Sequence, residues 1–150
     1  MKQAEPCTRQ IPPTNAFGQP GTTTLMEPQL SEIGQIAITV GNVDSVLPFY
    51  RDVLGLKFLY RADQNLAFLA AGNVRLMLTT PQGAGTAGKN SILYFKVSDI
   101  EETFNAIIGR GAESERLPQL TAKWPGSELW IGFVRDPDGN LVGLMEEKRL

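Results

Sequence analysis

From Gln35 onward the hydrophobic and polar positions change their period at regular places. Ile36, Ile38 and Val40 alternate with Gln35, Ala37 and Thr39, the period of two expected where successive side chains leave opposite faces of a strand. Val43, Leu47 and Tyr50 follow at the spacing of one helical stripe. The succession then returns. "QIAITVGNVDSVLPFYRDV" (35–53) lies on "ILYFKVSDIEETFNAIIGR" (92–110) without a gap, residue 35 falling on residue 92. Leu93, Phe95 and Val97 take the places of the first strand's apolar residues, and Ile100, Phe104 and Ile107 those of the helical stripe.

Each half continues with short strand patterns, near 57–61, 65–70 and 74–79 and again near 113–117, 129–135 and 141–146. Tight turns, "AAGNV" at 70–74 and "DPDGN" at 136–140, join the last two strands of each half. The second helix starts at a capping box of Ser98 and Glu101. In the first, Pro48 would break an internal hydrogen bond, so a turn is expected at 42–46 and a regular helix from near Pro48. Gly55, Gly109 and Gly111 mark the helix ends. The reading is an α+β chain of two strand–helix–strand–strand–strand modules, at about 34–80 and 91–146, within one domain over 33–150. Residues 1–32 hold half of the ten prolines and read as an irregular arm.

The glycine-rich linker 81–90 contains Gly83, Gly88 and Lys89 at the spacing of a phosphate-binding loop. Asn90 stands where the magnesium-binding hydroxyl belongs, and a strand pattern follows where a helix is needed. The segment therefore reads as a connector. "DPDGN" lacks the remaining ligands of a calcium loop and reads as a hairpin turn. Net charge is −2 without a basic cluster, which excludes nucleic acid and anionic membrane surfaces as expected partners. One cysteine, Cys7, permits no internal disulfide. No apolar run is long enough to span a bilayer, and the N-terminal segment does not read as a secretory signal, so a cytoplasmic location is expected. The chain has no histidine, which removes the commonest general base and transition-metal ligand.

Two segments resemble the vicinal oxygen chelate superfamily, which includes glyoxalase I, extradiol dioxygenases and bleomycin-binding proteins. "IGQIAITVGNVDSVLPFYRDVLGL" (33–56) is similar to that family's opening module, and "ELWIGFVRDPDGNLVGLME" (128–146) to its last hairpin. The resemblance implies a mixed sheet curled into a cup, with the helices outside and the ligand inside. It also implies a homodimer, because family members pair modules within or between chains. Metal-dependent members carry a ligand on the first and last strand of each module. By motif position these four places fall on Gln35, Met77, Ile92 and Gly143, and only Gln35 offers a donor for a hard divalent ion. No metal and no other cofactor is therefore expected.

Alternation gives an inward set: Gln35, Ala37 and Thr39; Arg75 and Met77; Ile92, Tyr94 and Lys96; Leu141, Gly143 and Met145. Trp130, with Trp124 across "PGSEL", reads as a rim aromatic, with packing across the sheet, the commoner fate of tryptophan, as the alternative. The expected ligand-binding residues are Gln35, Arg75, Met77, Tyr94, Lys96, Trp130 and Met145. For Tyr94 and Met77 interior filling explains the pattern equally well, as does solvent exposure for Arg75 and Lys96. Two functions follow. One is metal-independent binding of a small organic molecule. The other is an enzyme of the same superfamily, a lyase, isomerase or dioxygenase type, using Tyr94, Lys96 and Arg75 in acid–base chemistry or an unrecognised metal site.

Overall fold

The computed structural model of the chain describes residues 26–83 and 85–150. Most of the expected N-terminal arm lies outside this range, and residues 26–32 form neither helix nor strand. The first module runs β1 (Gln35–Thr39), α1 (Val43–Pro48), a π-wound turn (Phe49–Val53), β2 (Lys57–Asp63), β3 (Leu66–Ala71) and β4 (Val74–Thr79). The second runs β5 (Leu93–Lys96), α2 (Ile100–Gly109), β6 (Glu113–Trp124), β7 (Ser127–Arg135) and β8 (Leu141–Arg149). Each module is a four-stranded mixed sheet, in the order β1-β4-β3-β2 and β5-β8-β7-β6. The first and last strands of each module pair in parallel, the others antiparallel. A strand followed by a helical crossover and two hairpins has this outcome, because the crossover frees the first strand's edge for the fourth. The expected α+β architecture of two βαβββ modules is what the chain adopts.

The helical stripes decide which sheet face is core. Val43, Val46, Leu47 and Tyr50 are buried against Ile38, Val40, Leu69, Leu76 and Leu78. Ile100, Phe104 and Ile107 are buried with Val134, Val142 and Leu144. All belong to one contiguous apolar cluster, in which each large side chain contributes about 1.5–3 kcal/mol. The other face of each sheet remains for the site.

Several local expectations are corrected. The first helix starts at Val43, not near Pro48, because Asn42 caps it by accepting from the Ser45 N–H. Pro48 ends that α-helix, and the next turn is wound wider, with Leu54 N–H donating to Phe49 O. A proline that donates no bond and crowds the carbonyl four residues back favours such a widening. The Ser98–Glu101 capping box does not form. Asp99 is the N-cap and accepts from Glu102 N–H, while the Glu146 carboxylate, from β8, accepts from Ile100 N–H at 2.8 Å. β6 runs through Pro118 to Trp124 instead of stopping near 117. It is an edge strand with an irregular register between Arg116 and Gln119, so the missing donor disturbs no ladder bond. Gly55 (φ 76°) and Gly111 (φ 101°) leave their helices in the left-handed region, as expected of helix stops.

The linker is more than a connector at its end. Asn90 holds both edge groups of Thr39: its Oδ1 accepts from Thr39 N–H (3.0 Å) and its Nδ2 donates to Thr39 O (2.9 Å). Nδ2 also donates to Asn140 Oδ1 (2.8 Å), and Asn140 donates from its backbone and side chain to the Asp136 carboxylate. Tyr50 Oη, on the first module's helix, donates to Asp136 Oδ2 at 2.8 Å. Asp136 and Asn140 are each 4% exposed. One polar chain thus runs from the first module through the linker and the DPDGN turn back to the first module.

Burial, and then the Asp136 charge it faces, hold the Tyr50 phenol protonated well above its usual pKa. Two outcomes are expected. Tyr50→Phe leaves a buried carboxylate one donor short and lowers unfolding free energy by about 1.5–3 kcal/mol at neutral pH, measured by denaturant melts. The second outcome concerns alkaline pH. The folded-state pKa is raised, so the stabilisation is complete below the unfolded value of about 10 and is lost as pH rises beyond it. Wild-type stability should therefore decline more steeply above about pH 10 than that of Tyr50→Phe.

Candidate functional site

The faces turned away from the helices carry two matching rows of side chains. In the first sheet the register places Ala37 beside Met77, Met77 beside Phe68 and Phe68 beside Tyr60. In the second it places Tyr94 beside Gly143, Gly143 beside Phe133 and Phe133 beside Arg116. The rows occupy equivalent strands with bulk exchanged at the first two places, small then large against large then none. Gly143 allows the Tyr94 ring to lie across it, since a Cβ there would stand 2.7 Å from Tyr94 Cδ1. The ring then meets Phe133 edge-on, with centroids 5.7 Å apart at 73°.

Aromatic rings and guanidinium groups dominate both rows. Tyr60 stacks on Phe68 at 4.7 Å, and the Arg75 guanidinium lies over the Phe68 ring, 5.1 Å from its centroid. In the second sheet Arg116 lies over Phe133 at 4.8 Å. Arg75 also donates from Nε to Gln35 Oε1 at 2.7 Å, and Gln35 Nε2 lies 3.6 Å from Met77 Sδ. Gln35, Arg75 and Met77, three of the expected ligand-binding residues, therefore form one contact group. Tyr94 belongs to the second row, half exposed. Lys96 and Met145 are cross-strand neighbours on the same face, one pair further along. Trp130 is a correction: it shares a face with Gly132 and Val134, packs against the apolar core, and has Lys148 over its ring. The loop-rim reading missed this because Trp130 lies inside β7, where alternation with Val134 decides its side.

Phe68, Tyr60, Phe133 and Arg116 were not singled out from the sequence. Strand parity was the available signal: it holds for Phe68 and Phe133 on the regular strands β3 and β7, and is displaced for Tyr60 and Arg116 by the register shifts in β2 and β6. The four places that the family resemblance assigns to metal ligands do not form a hard-metal donor set. The Gln35 oxygen is taken by a cationic donor, Met77 offers a thioether, Ile92 has no donor and Gly143 lies under a ring. Among the described residues no group of three His, Cys, Asp or Glu side chains converges. Near the linker a cleft of about 320 Å³ is lined by Thr86, Lys89 and Asn90 with Ile36 and Ile38; it opens beside β1 and not into a helix N-terminus.

Gly143→Ala is expected to drive Tyr94 off Phe133 and cost about 1–3 kcal/mol of stability. In a Tyr94→Ala background the same change should cost less. Denaturant melts of the double-mutant cycle measure the coupling.

Comparison with known proteins agrees with this geometry. The profile of the Glyoxalase/Bleomycin resistance protein/Dioxygenase superfamily matches residues 32–144. A probable lactoylglutathione lyase of Vibrio parahaemolyticus is 30% identical over 127 residues, covering 75% of this chain and 88% of that protein. The crystal structure of lactoylglutathione lyase from Agrobacterium tumefaciens superposes with a TM-score of 0.65 at 25% identity, covering 79% of this chain and 96% of the other. TnmS3, an antibiotic binding protein from Streptomyces, shares the fold with a TM-score of 0.66 at 17% identity, covering 81% of this chain and all of that one (100%). The repeated βαβββ plan, the DPDGN hairpin and the profile match converge: the chain belongs to the Glyoxalase/Bleomycin resistance protein/Dioxygenase superfamily.

Proposed function

We propose that this domain binds a small organic molecule on its aromatic sheet faces without a protein-held metal. The observation that carries the reading is the fate of the four inherited ligand places. An amide oxygen already paired to Arg75, a thioether, an isoleucine and a glycine under a tyrosine ring cannot hold a divalent ion. In their place stand rings with exposed surface and cationic groups, the surroundings that small-molecule sites use. Elemental analysis of the purified protein is expected to find no stoichiometric zinc, iron or nickel. Chelator treatment is expected to leave the melting temperature unchanged. About one equivalent of metal, lost in Gln35→Ala, would overturn the reading. A thermal-shift screen should find organic molecules that raise the melting temperature, since a ligand selective for the folded state stabilises it.

The similarity to a probable lactoylglutathione lyase supports a second, enzymatic reading. Arg75, Tyr94 and Lys96 would then supply charge and proton transfer at a bound substrate. Turnover that forms or consumes lactoylglutathione, lost in Arg75→Gln, would favour it; saturable binding without product favours sequestration.

The proposal includes a homodimer in the cytoplasm. Phe58 and Leu59 on β2 and Leu117, Leu120 and Trp124 on β6 are all more than a third exposed, and exposed apolar side chains of this kind mark interaction surfaces. Among the described residues no helix is long and apolar enough to cross a membrane. Sedimentation at micromolar concentration is expected to show a dimer; a monomer alone would remove this part.

A further inference from the structure

The two rows carry a duplicated arrangement that the family's metal chemistry does not explain. Phe68 on β3 and Phe133 on β7 stand at equivalent places, each cross-strand from a last-strand ligand position, Met77 or Gly143. Each ring has an arginine over it, Arg75 at 5.1 Å and Arg116 at 4.8 Å, and a tyrosine against it, Tyr60 or Tyr94. The arginines arrive from different strands, β4 and β6, so the likeness is in the result and not in the sequence. Arg51, Arg61 and Arg135 have carboxylate partners, whereas Arg75 and Arg116 make no ion pair among the described residues. A ring face positions a guanidinium without neutralising it; Arg75 spends its Nε–H on Gln35, which leaves the two terminal nitrogens of its fork for an anion. Both tyrosines are 47% exposed, which leaves ring surface for a flat molecule, and each shares its phenylalanine with the arginine.

Resting on the small-molecule reading above, we propose that each module holds one subsite for an aromatic carboxylate, Arg75 with Phe68 and Tyr60 in the first and Arg116 with Phe133 and Tyr94 in the second. The guanidinium receives the carboxylate through paired charge-assisted hydrogen bonds, and the aromatic ring of the ligand stacks on the tyrosine. The positive charge that a metal supplies elsewhere is here supplied by arginine.

Calorimetric titration of the full chain with naphthalene-2-carboxylate, its neutral amide and cyclohexanecarboxylate tests this. The aromatic acid is expected to saturate at about two per chain. It should bind about ten- to a hundredfold tighter than the amide, because a hydrogen bond to a charged group is lost. It should also exceed the saturated acid, which cannot stack. Arg75→Gln and Arg116→Gln should each lower acid saturation to about one per chain while the amide still binds, and Arg51→Gln should change nothing. An amide that binds as tightly as the acid, or acid saturation unaltered in Arg116→Gln, would overturn the proposal. So would saturation at one acid in the wild type. Binding of neutral aromatics with no preference for the acid defeats only this proposal. If no organic probe binds or raises the melting temperature, the small-molecule reading fails with it.

Discussion

The buried carboxylate of Asp136 is the point through which the two modules are held to one another. It accepts from Tyr50 Oη, from the backbone of Asp138 and Asn140 and from the Asn140 side chain. A carboxylate withdrawn from water is costly unless its lone pairs are met. Here the donors come from the turn that carries it and from the other module's helix. Asn140 passes the connection to Asn90, and Asn90 grips the free edge of β1 at Thr39. Asp138 adds a parallel tie by accepting from Gly41 N–H at 2.8 Å. A β1 edge occupied in this way needs no strand ladder to β5, and the two sheets keep separate hydrogen-bond networks.

That polar chain lies at one end of the strands, and the apolar cluster occupies the helix faces. Both requirements for folding are therefore met away from the opposite sheet faces, which are free to carry chemistry. The exchange of bulk between the rows follows from this freedom. Met77 beside Ala37 and Gly143 beside Tyr94 fill comparable space by opposite choices, each leaving a phenylalanine open to a guanidinium.

Much of the fold was legible because period and duplication agreed. The stripes at Val43, Leu47 and Tyr50 and at Ile100, Phe104 and Ile107 read as helices, and those residues are buried. The first helix began earlier than Pro48 suggested, since an Asn42 cap and a widened turn accommodate the ring. The α2 start shifted by one residue because Asp99 outcompetes Ser98 as the cap, accepting from Glu102 N–H. Glu146, distant in sequence, adds a carboxylate at Ile100 N–H that local rules could not include.

For the site, parity along β1, β4, β5 and β8 was sufficient to turn Gln35, Arg75, Met77, Tyr94, Lys96 and Met145 to one side, because these strands pair without register shifts. The absence of histidine likewise followed from composition alone. Parity on β7 would have turned Trp130 the other way, towards the core. Which residues meet across strands was decided only in three dimensions. Tyr60 and Arg116 come from β2 and β6, where bulges break the count along the strand, whereas Phe68 and Phe133 lie on the regular strands β3 and β7, where parity gives their face but only cross-strand register gives their neighbours. The same holds for Asp136 and Asn90. A turn residue and a linker residue have no periodicity to announce them, and their roles arise from donors and acceptors that folding brings from 50 to 86 residues away.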